Sequence, residues 1–425
     1  MRKIAGLQSV VVFIVCSFGL FACESKKSAT NYAFEQVQDS LSAALHIISK
    51  TASFNGFAVA LVNDQQVLYY NGFGKKGLAT HENYDAHTLQ NIASVSKTLF
   101  GLALLKAQEL GKLSLDDSID QYLPFTVRNP LFPNIPITIR QLATHTSSIT
   151  DTEGYLKNTL LLQDTQNLAN NLRMDIAPTR FNAPDAKMTL QQFVTELVAP
   201  TGKWYNKQLF LPHKPGAIFS YSNTGICLAA LVLENATGVP YDVFSTQYIL
   251  KPLQMNASGW NFSSITFSNY SPTYINKQTA YPLYSLNSYP DGGLITSSAD
   301  MSKYMLELFK GFYGKGTLLN KDSYQSYFTP QLRNEQFIDR ATSEYSDEYN
   351  MGITMGFGAT GNFGHTGGDP GMFSVIWFDQ FKKLGRYFII NTDWNNELTG
   401  KDQKAIYDIL DHYQTKLDSI SRQQE

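Results

Sequence analysis

Residues 93–98 read Ala93-Ser94-Val95-Ser96-Lys97-Thr98, a stretch that places a lysine three residues after a serine. It opens an apolar segment that ends at Gly111 and whose spacing predicts a helix. Residues three apart share a helix face, so Lys97 lies within reach of the Ser94 hydroxyl. The partial positive charge at a helix N-terminus favours a serine alkoxide and predicts a lowered pKa for Lys97. The pair is therefore either a nucleophile with its base or a helix cap followed by a solvated lysine.

Composition and missing motifs exclude several classes of protein. The chain has 425 residues, 43% hydrophobic and 16% charged, which is typical of a globular protein with a large core. Its net charge of -2 gives no electrostatic reason to expect nucleic-acid binding. The sequence has no G-x-S-x-G, H-E-x-x-H or C-x-x-C motif, and its seven histidines are scattered. We therefore expect no metal, no cofactor and no nucleic-acid partner.

The N-terminal residues predict export. Residues 1–22 combine Arg2 and Lys3 with an apolar run, as a secretory signal peptide does. The run ends in Ala22-Cys23, which resembles the lipobox of bacterial lipoproteins and implies lipid attachment to Cys23. Residues 23–32 are polar and predict a tether, followed by a single two-lobed domain over 33–425. This predicts a lipoprotein of the bacterial cell envelope, held to a membrane by its lipid; a plain signal peptide or an uncleaved anchor are the alternatives.

The two ends of the mature chain have matching patterns. An amphipathic helix over 34–48 and a β-hairpin over 56–74 begin it, and two β-rich runs with an amphipathic helix end it. The middle of the chain contains further helical patterns. We therefore expect an α/β protein, with a central antiparallel sheet built from both chain ends and flanked by helices, plus a mostly helical lobe.

Two more motifs follow the serine–lysine stretch. Tyr221-Ser222-Asn223 precedes a helical pattern, and His365-Thr366-Gly367-Gly368 leads into a β-rich run. In this order, with the flanking "ITIRQLATHTSSI", the three motifs resemble the serine β-lactamase-like or penicillin-binding-protein-like family in its class C branch. That branch also holds DD-peptidases, D-aminopeptidases and carboxylesterases. The resemblance extends from about Phe34 to the last helix and implies a β-lactamase/transpeptidase-like fold.

The resemblance assigns a role to each motif. It implies that Ser94 is the nucleophile, Lys97 its base and Tyr221 the proton relay. It also implies the groups that bind substrate, namely the side chains or backbone of Asn223, His365, Thr366 and Gly367 and the oxyanion-hole N–H groups of Ser94 and Gly368. Two other Tyr-x-Asn stretches, at 69–71 and 274–276, lack the preceding Pro-Gly turn and the following helix, so Tyr221 is preferred.

Three positions depart from the family pattern. His365 stands where β-lactamases of the family have a lysine, and an imidazole is at most partly charged at neutral pH. Ser148 replaces a glycine, so the turn after His145, which we expect to be a structural hydrogen-bonding residue, differs in detail. The segment 151–213 is longer than in typical relatives and is either a lid over the cleft or an inert surface insertion.

These observations predict a serine hydrolase that forms an acyl-enzyme with an ester or amide. A D-amino-acid peptide of peptidoglycan type or a small ester fits His365 better than a β-lactam does. The alternative is a non-catalytic lipoprotein that binds or senses cell-wall fragments on the same fold.

Overall fold

The computed structural model describes residues 29–78, 81–163, 181–338, 352–353, 362–395 and 397–423. The predicted signal peptide and Cys23 lie outside the described residues. Within the described ranges, no single helix has both the length and the apolar composition to cross a membrane. The consecutive helices Asn223–Thr237 and Tyr241–Leu250, bent by 79°, meet these criteria only when taken together.

The strands come mainly from the two ends of the chain. In chain order they are β1 (Gly56–Asn63), β2 (Val67–Gly74), β3 (Gln90–Asn91), β4 (Leu160–Leu162), β5 (Tyr284–Leu286), β6 (Ile295–Thr296), β7 (Asn362–Asp369), β8 (Met372–Asp379) and β9 (Leu384–Ile390). Five of the described strands form an antiparallel sheet in the order β2-β1-β9-β8-β7. The predicted sheet built from both chain ends is confirmed.

Helices cover both faces of this sheet. In chain order they are α1 (Ala29–Ser49), α2 (Ser96–Glu109), α3 (Ile139–Ala143), α4 (Glu153–Asn158), α5 (Leu190–Val198), α6 (Asn223–Thr237), α7 (Tyr241–Ser245), α8 (Tyr289–Gly292), α9 (Ser298–Phe312), α10 (Lys321–Phe328) and α11 (Leu398–Ser421). A π-helical turn, Thr246–Leu250, continues α7. The terminal helices α1 and α11 lie on one face, and the others form the predicted helical lobe on the opposite face.

β1 shows how the layers are held together. All eight of its residues are buried, and alternate side chains of a strand point to opposite faces. Phe57, Val59 and Leu61 pack against the terminal helices, whereas Ala58 and Ala60 face the helical lobe. Because the sheet has a hydrophobic layer on each side, β1 is apolar from Phe57 to Val62 instead of alternating with polar residues.

The helical lobe delivers the serine–lysine stretch to the sheet. Ser94 lies in the 3-10 turn Ala93–Val95, directly before α2. α2 is buried along almost its whole length, so it lies in the centre of the lobe. It ends before Gly111, which has φ 65° and provides the predicted helix stop.

The structure bears on two of the sequence predictions, the tether over 23–32 and the segment 151–213. α1 begins at Ala29, so residues 29–32, the last four of the predicted tether, belong to the helix instead; Asn31 and Tyr32 are exposed on its first turn. In the described part of the segment 151–213, Trp204 packs 6.0 Å from Phe193 between ring centroids, and Phe210 belongs to the lobe core. That part is integrated into the lobe, and residues 164–180 lie outside the described residues.

We expect Leu410→Ala to destabilise the protein by about 2–5 kcal/mol, because Leu410 of α11 is fully buried against the sheet and its loss leaves a cavity. Leu398→Ala is the matched control, since Leu398 in the same helix is 56% exposed. Urea denaturation of both variants measures the difference. Equal losses of stability would contradict the proposed packing of α11 on the sheet.

Candidate active site

Ser94 and Lys97 contact each other directly. The Lys97 ammonium donates to Ser94 Oγ at 2.8 Å and to the Asp291 backbone carbonyl oxygen at 2.7 Å. Lys97 is 0% exposed, whereas Ser94 is only half-buried and can be reached from the cleft. The residue before the serine, Ala93, has φ 45°, a left-handed conformation that is uncommon outside glycine and asparagine. Because Lys97 is buried, the interpretation of it as a solvated lysine is wrong.

Tyr221 completes this cluster. The Lys97 Nζ atom lies 5.1 Å from the centre of the Tyr221 ring, and the phenol is hydrogen-bonded to both Lys97 and Ser94. The competing tyrosines lie elsewhere: Tyr69 contacts Ser42 of α1, and the Tyr274 hydroxyl donates to a backbone carbonyl of the loop after β2. Of the three tyrosines in Tyr-x-Asn stretches, Tyr221 is the one that lies beside Ser94 and Lys97.

His145 supports Tyr221, as its predicted structural role requires. The two rings lie 4.4 Å apart between centroids, and His145 Nδ1 accepts a hydrogen bond from the Ser222 backbone N–H at 3.1 Å. Ser148, in the turn that follows, has φ 65° and therefore keeps the left-handed conformation that the family glycine would adopt. Its Oγ accepts a hydrogen bond from Asn129, which helps to hold the turn.

The pKa of Lys97 is raised, so the predicted lowering is wrong. Burial lowers this pKa, but the electrostatic interaction and hydrogen bond with Tyr221 and the negative charge of Asp291 more than offset that effect. Burial also raises the pKa of Tyr221, although the Lys97 charge works in the other direction. At rest the pair is therefore an ammonium beside a neutral phenol, and it must lose one proton before it can act as a base.

His365 is a neutral imidazole. It lies on β7, 2% exposed, and burial followed by the Lys97 charge lowers its pKa to about 3. Its Nδ1 donates to the Thr366 backbone oxygen at 2.5 Å, which leaves Nε2 as an acceptor. The sequence predicted a partial or absent cation at this position, and the lowered pKa favours an absent one at neutral pH.

The glycines after His365 let β7 approach the nucleophile segment. A Cβ on Gly367 would come within 2.4 Å of the Ile92 carbonyl oxygen and 3.0 Å of the Ser94 nitrogen. A Cβ on Gly368 would meet no described atom within 4 Å. Gly367 is thus required by contact inside the protein, while Thr366 and Gly368 are exposed on the cleft side of the strand. This brings β7 beside the Ser94 N–H, where the oxyanion hole is expected.

Asp151 holds Asn223, a role that no sequence pattern indicated. One carboxylate oxygen accepts hydrogen bonds from the Asn223 backbone N–H at 3.1 Å and its side-chain Nδ2 at 2.9 Å. The other accepts the Thr224 N–H at 2.7 Å, which caps the N-terminus of α6. The two bonds use the backbone N–H and one of the two Nδ2–H donors of Asn223, so its side-chain oxygen and its second Nδ2–H are not bonded to Asp151. Asp151 precedes Asn223 by 72 residues, so no local motif could reveal the pair.

Among the residues that the structure describes, no group of three or more His, Cys, Asp or Glu side chains is arranged to hold a metal ion. The fold and the cluster around Lys97 define a class, the serine hydrolases in which a serine–lysine pair lies between an antiparallel sheet and a helical lobe. A family model described as Beta-lactamase matches residues 41–411. The chain therefore belongs to the Beta-lactamase family, whose homologues are serine hydrolases.

Two related proteins agree with this assignment at low identity. Penicillin-binding protein 4* of Bacillus subtilis (strain 168) is 24% identical over 376 residues, which cover 84% of this chain and 72% of that protein. Protein flp of Staphylococcus aureus (strain MW2) is 26% identical over 257 residues, covering 59% of this chain and 44% of that protein. The chain thus matches less than half the length of Protein flp.

Solved structures share the fold. An octameric penicillin-binding protein homologue from Pyrococcus abyssi has a TM-score of 0.66 at 21% identity, covering 88% of this chain and 76% of its own. EstCE1, a hydrolase with promiscuous acyltransferase activity, has a TM-score of 0.63 at 18% identity, covering 90% and 100%. A class C beta-lactamase has a TM-score of 0.61 at 18% identity, covering 88% and 96%. The predicted β-lactamase/transpeptidase-like fold is confirmed.

We expect the stability of the protein to fall as the pH is lowered from about 6.5 towards 3, because burial keeps His145 and His365 neutral while the unfolded chain takes up protons. Each such histidine contributes a slope of about 1.4 kcal/mol per pH unit. His365→Gln should remove one of these slopes in urea denaturation at several pH values, whereas His412→Gln, on the surface of α11, should not. An unchanged slope in His365→Gln would show that His365 is protonated in the folded protein.

Proposed function

We propose that this protein is a serine hydrolase that forms an acyl-enzyme on Ser94 with an ester or amide substrate. The observation that supports it most strongly is the fully buried Lys97 ammonium, which donates to Ser94 Oγ at 2.8 Å. Burying an ammonium costs several kcal/mol unless it is paired and hydrogen-bonded. A helix cap needs no buried lysine, whereas a lysine held against a serine hydroxyl can serve as the base that activates it.

The arrangement supports a two-step mechanism. After the Lys97–Tyr221 pair has lost a proton, it accepts the Ser94 proton while Ser94 Oγ bonds to the substrate carbonyl carbon. The N–H groups of Ser94 and Gly368 stabilise the resulting oxyanion. Tyr221 then donates a proton to the leaving nitrogen or oxygen as its bond to carbon breaks. Water, deprotonated by the same pair, attacks the acyl-enzyme and releases the acid.

The neutral His365 favours some substrates over others. The family resemblance implies a permanent cation at this position in β-lactamases, where it binds the carboxylate of the antibiotic. An imidazole whose pKa lies at about 3 supplies no such charge at neutral pH. We therefore propose an ester or a D-amino-acid peptide of peptidoglycan type as substrate, with a β-lactam turned over slowly.

The N-terminal sequence supports a further proposal, that the protein is an exported bacterial lipoprotein carrying lipid on Cys23. We expect Cys23→Ser to abolish incorporation of an alkyne-tagged fatty acid in a bacterial host, because the acceptor thiol is lost. Cys16→Ser, within the predicted signal peptide, is the matched control and should be labelled like the parent. Labelling of Cys23→Ser, or no labelling of the parent, would overturn this proposal.

We expect Ser94→Ala to lose labelling by a fluorescent fluorophosphonate and to lower kcat for its best substrate by about 10³-fold or more. Ser96→Ala is the matched control: Ser96 is also buried in this stretch, but its Oγ accepts a hydrogen bond from the Leu294 N–H. Turnover would be measured on p-nitrophenyl esters, D-alanyl peptides and a chromogenic cephalosporin. Unchanged labelling of Ser94→Ala would contradict the mechanism, and peptidoglycan-peptide binding by an unlabelled parent would favour the non-catalytic alternative.

A further inference from the structure

A buried carboxylate lies behind Lys97, on the side away from the cleft. Asp291, in the short helix α8, is 3% exposed, and its backbone oxygen accepts a hydrogen bond from Lys97. Its side chain accepts the Tyr155 hydroxyl at 2.7 Å, the Ser288 hydroxyl at 3.2 Å and the Cys227 thiol at 3.3 Å. This side chain takes no part in the proposed acyl transfer.

The contacts of Asp291 favour its ionised form. Tyr155 and Cys227 donate to one carboxylate oxygen and Ser288 to the other, and such donors stabilise a carboxylate. The pKa of Asp291 is nevertheless raised, because burial outweighs the opposing effects of the Lys97 charge and of the Tyr155 and Cys227 hydrogen bonds. A buried carboxylate also needs a nearby cation, and Lys97 is bonded to the same residue.

Other titratable groups face the same region but differ in state. Burial lowers the pKa of His145 and of His365, so both rings are neutral, and burial raises the pKa of the Cys227 thiol, which stays protonated. Asp151 is bonded to the N-terminus of α6. Asp369, at the end of β7, has its pKa raised to about 7 by burial and by the charge of Asp291.

We propose that Asp291 is a positioning residue: its carboxylate, held by Tyr155, Ser288 and Cys227, fixes the Lys97 ammonium under Ser94 and retains the proton on the Lys97–Tyr221 pair. This rests on the proposed function, because it concerns how the base of that reaction is held and when it becomes active. The negative charge of Asp291 raises the pKa of Lys97 and also that of Tyr221. The effect on the pair thus has the same sign whichever member holds the proton.

The test is the pH dependence of the initial rate of fluorophosphonate labelling, measured from about pH 7 to about pH 11.5, because the pKa values of Lys97 and Tyr221 are both raised. The rate should rise with pH as the pair loses its proton. In Asp291→Asn the negative charge is gone, so we expect the midpoint of this rise to move down by about one pH unit or more. A purely structural role would lower the rate or the stability without moving the midpoint. An unchanged or higher midpoint would overturn the proposal.

Two control variants show whether the shift belongs to Asp291. Glu307→Gln neutralises another buried carboxylate that also accepts a tyrosine hydroxyl, from Tyr324, and it should leave the midpoint where it is in the parent. Asp369→Asn removes the titration of Asp369. When Asp291→Asn is added to Asp369→Asn, the midpoint of the labelling rate should still move down. A shift that vanishes there, or one that Glu307→Gln reproduces, would contradict the role of Asp291.

If Asp291→Asn does not fold, Asp291→Ser tests the same point. This variant removes the same negative charge with a smaller side chain, so the same downward shift of the midpoint is expected, and no shift counts against the proposal. Failure of the proposed function has a different outcome, since the parent itself would then not be labelled at any pH. A labelled parent with an unmoved midpoint in the variants refutes only the role of Asp291.

Discussion

The site depends on one buried ammonium. Lys97 is shielded from water, and its charge must be balanced by the groups around it, because an unpaired buried charge costs several kcal/mol. Ser94 and the Asp291 carbonyl accept its hydrogen bonds, and Tyr221 lies beside it. Burial, and after it the same charge, lowers the pKa of His365 and of His145. Both burial and this cation therefore keep the two imidazoles neutral.

The architecture explains how these groups meet. The 3-10 turn and α2 supply the serine and lysine, while β7 crosses beside them on the edge of the sheet. Gly367 allows this approach, since any side chain there would collide with the Ile92 carbonyl. Because the sheet joins both ends of the chain, the cleft forms only when β1 has paired with β9. The positions of the catalytic groups therefore depend on the folding of the whole domain.

Much of the fold and site was predictable from sequence, for definable reasons. The apolar run of β1 and the paired patterns at the chain ends depend on local spacing, and they led to the sheet and the lobe. The Ser94–Lys97–Tyr221 cluster was implied by the resemblance of three motifs to a known family. Asp151 lies 72 residues from Asn223, and Asp291 lies 194 residues from Lys97. Neither follows a motif, so the roles of these two residues could not be predicted. The direction of the Lys97 pKa was wrong for the same reason. A helix N-terminus is visible in sequence, whereas a distant buried carboxylate is not.

The most direct test of Ser94 as the nucleophile is to locate the covalent adduct. Intact-mass spectrometry of the fluorophosphonate-treated protein, followed by peptide mapping, identifies the residue that carries the label. We predict one adduct per chain, on the peptide that contains Ser94 and assigned to that serine by fragmentation. A stoichiometric adduct on any other residue, with Ser94 unmodified, would contradict the proposed role of the Ser94–Lys97 pair.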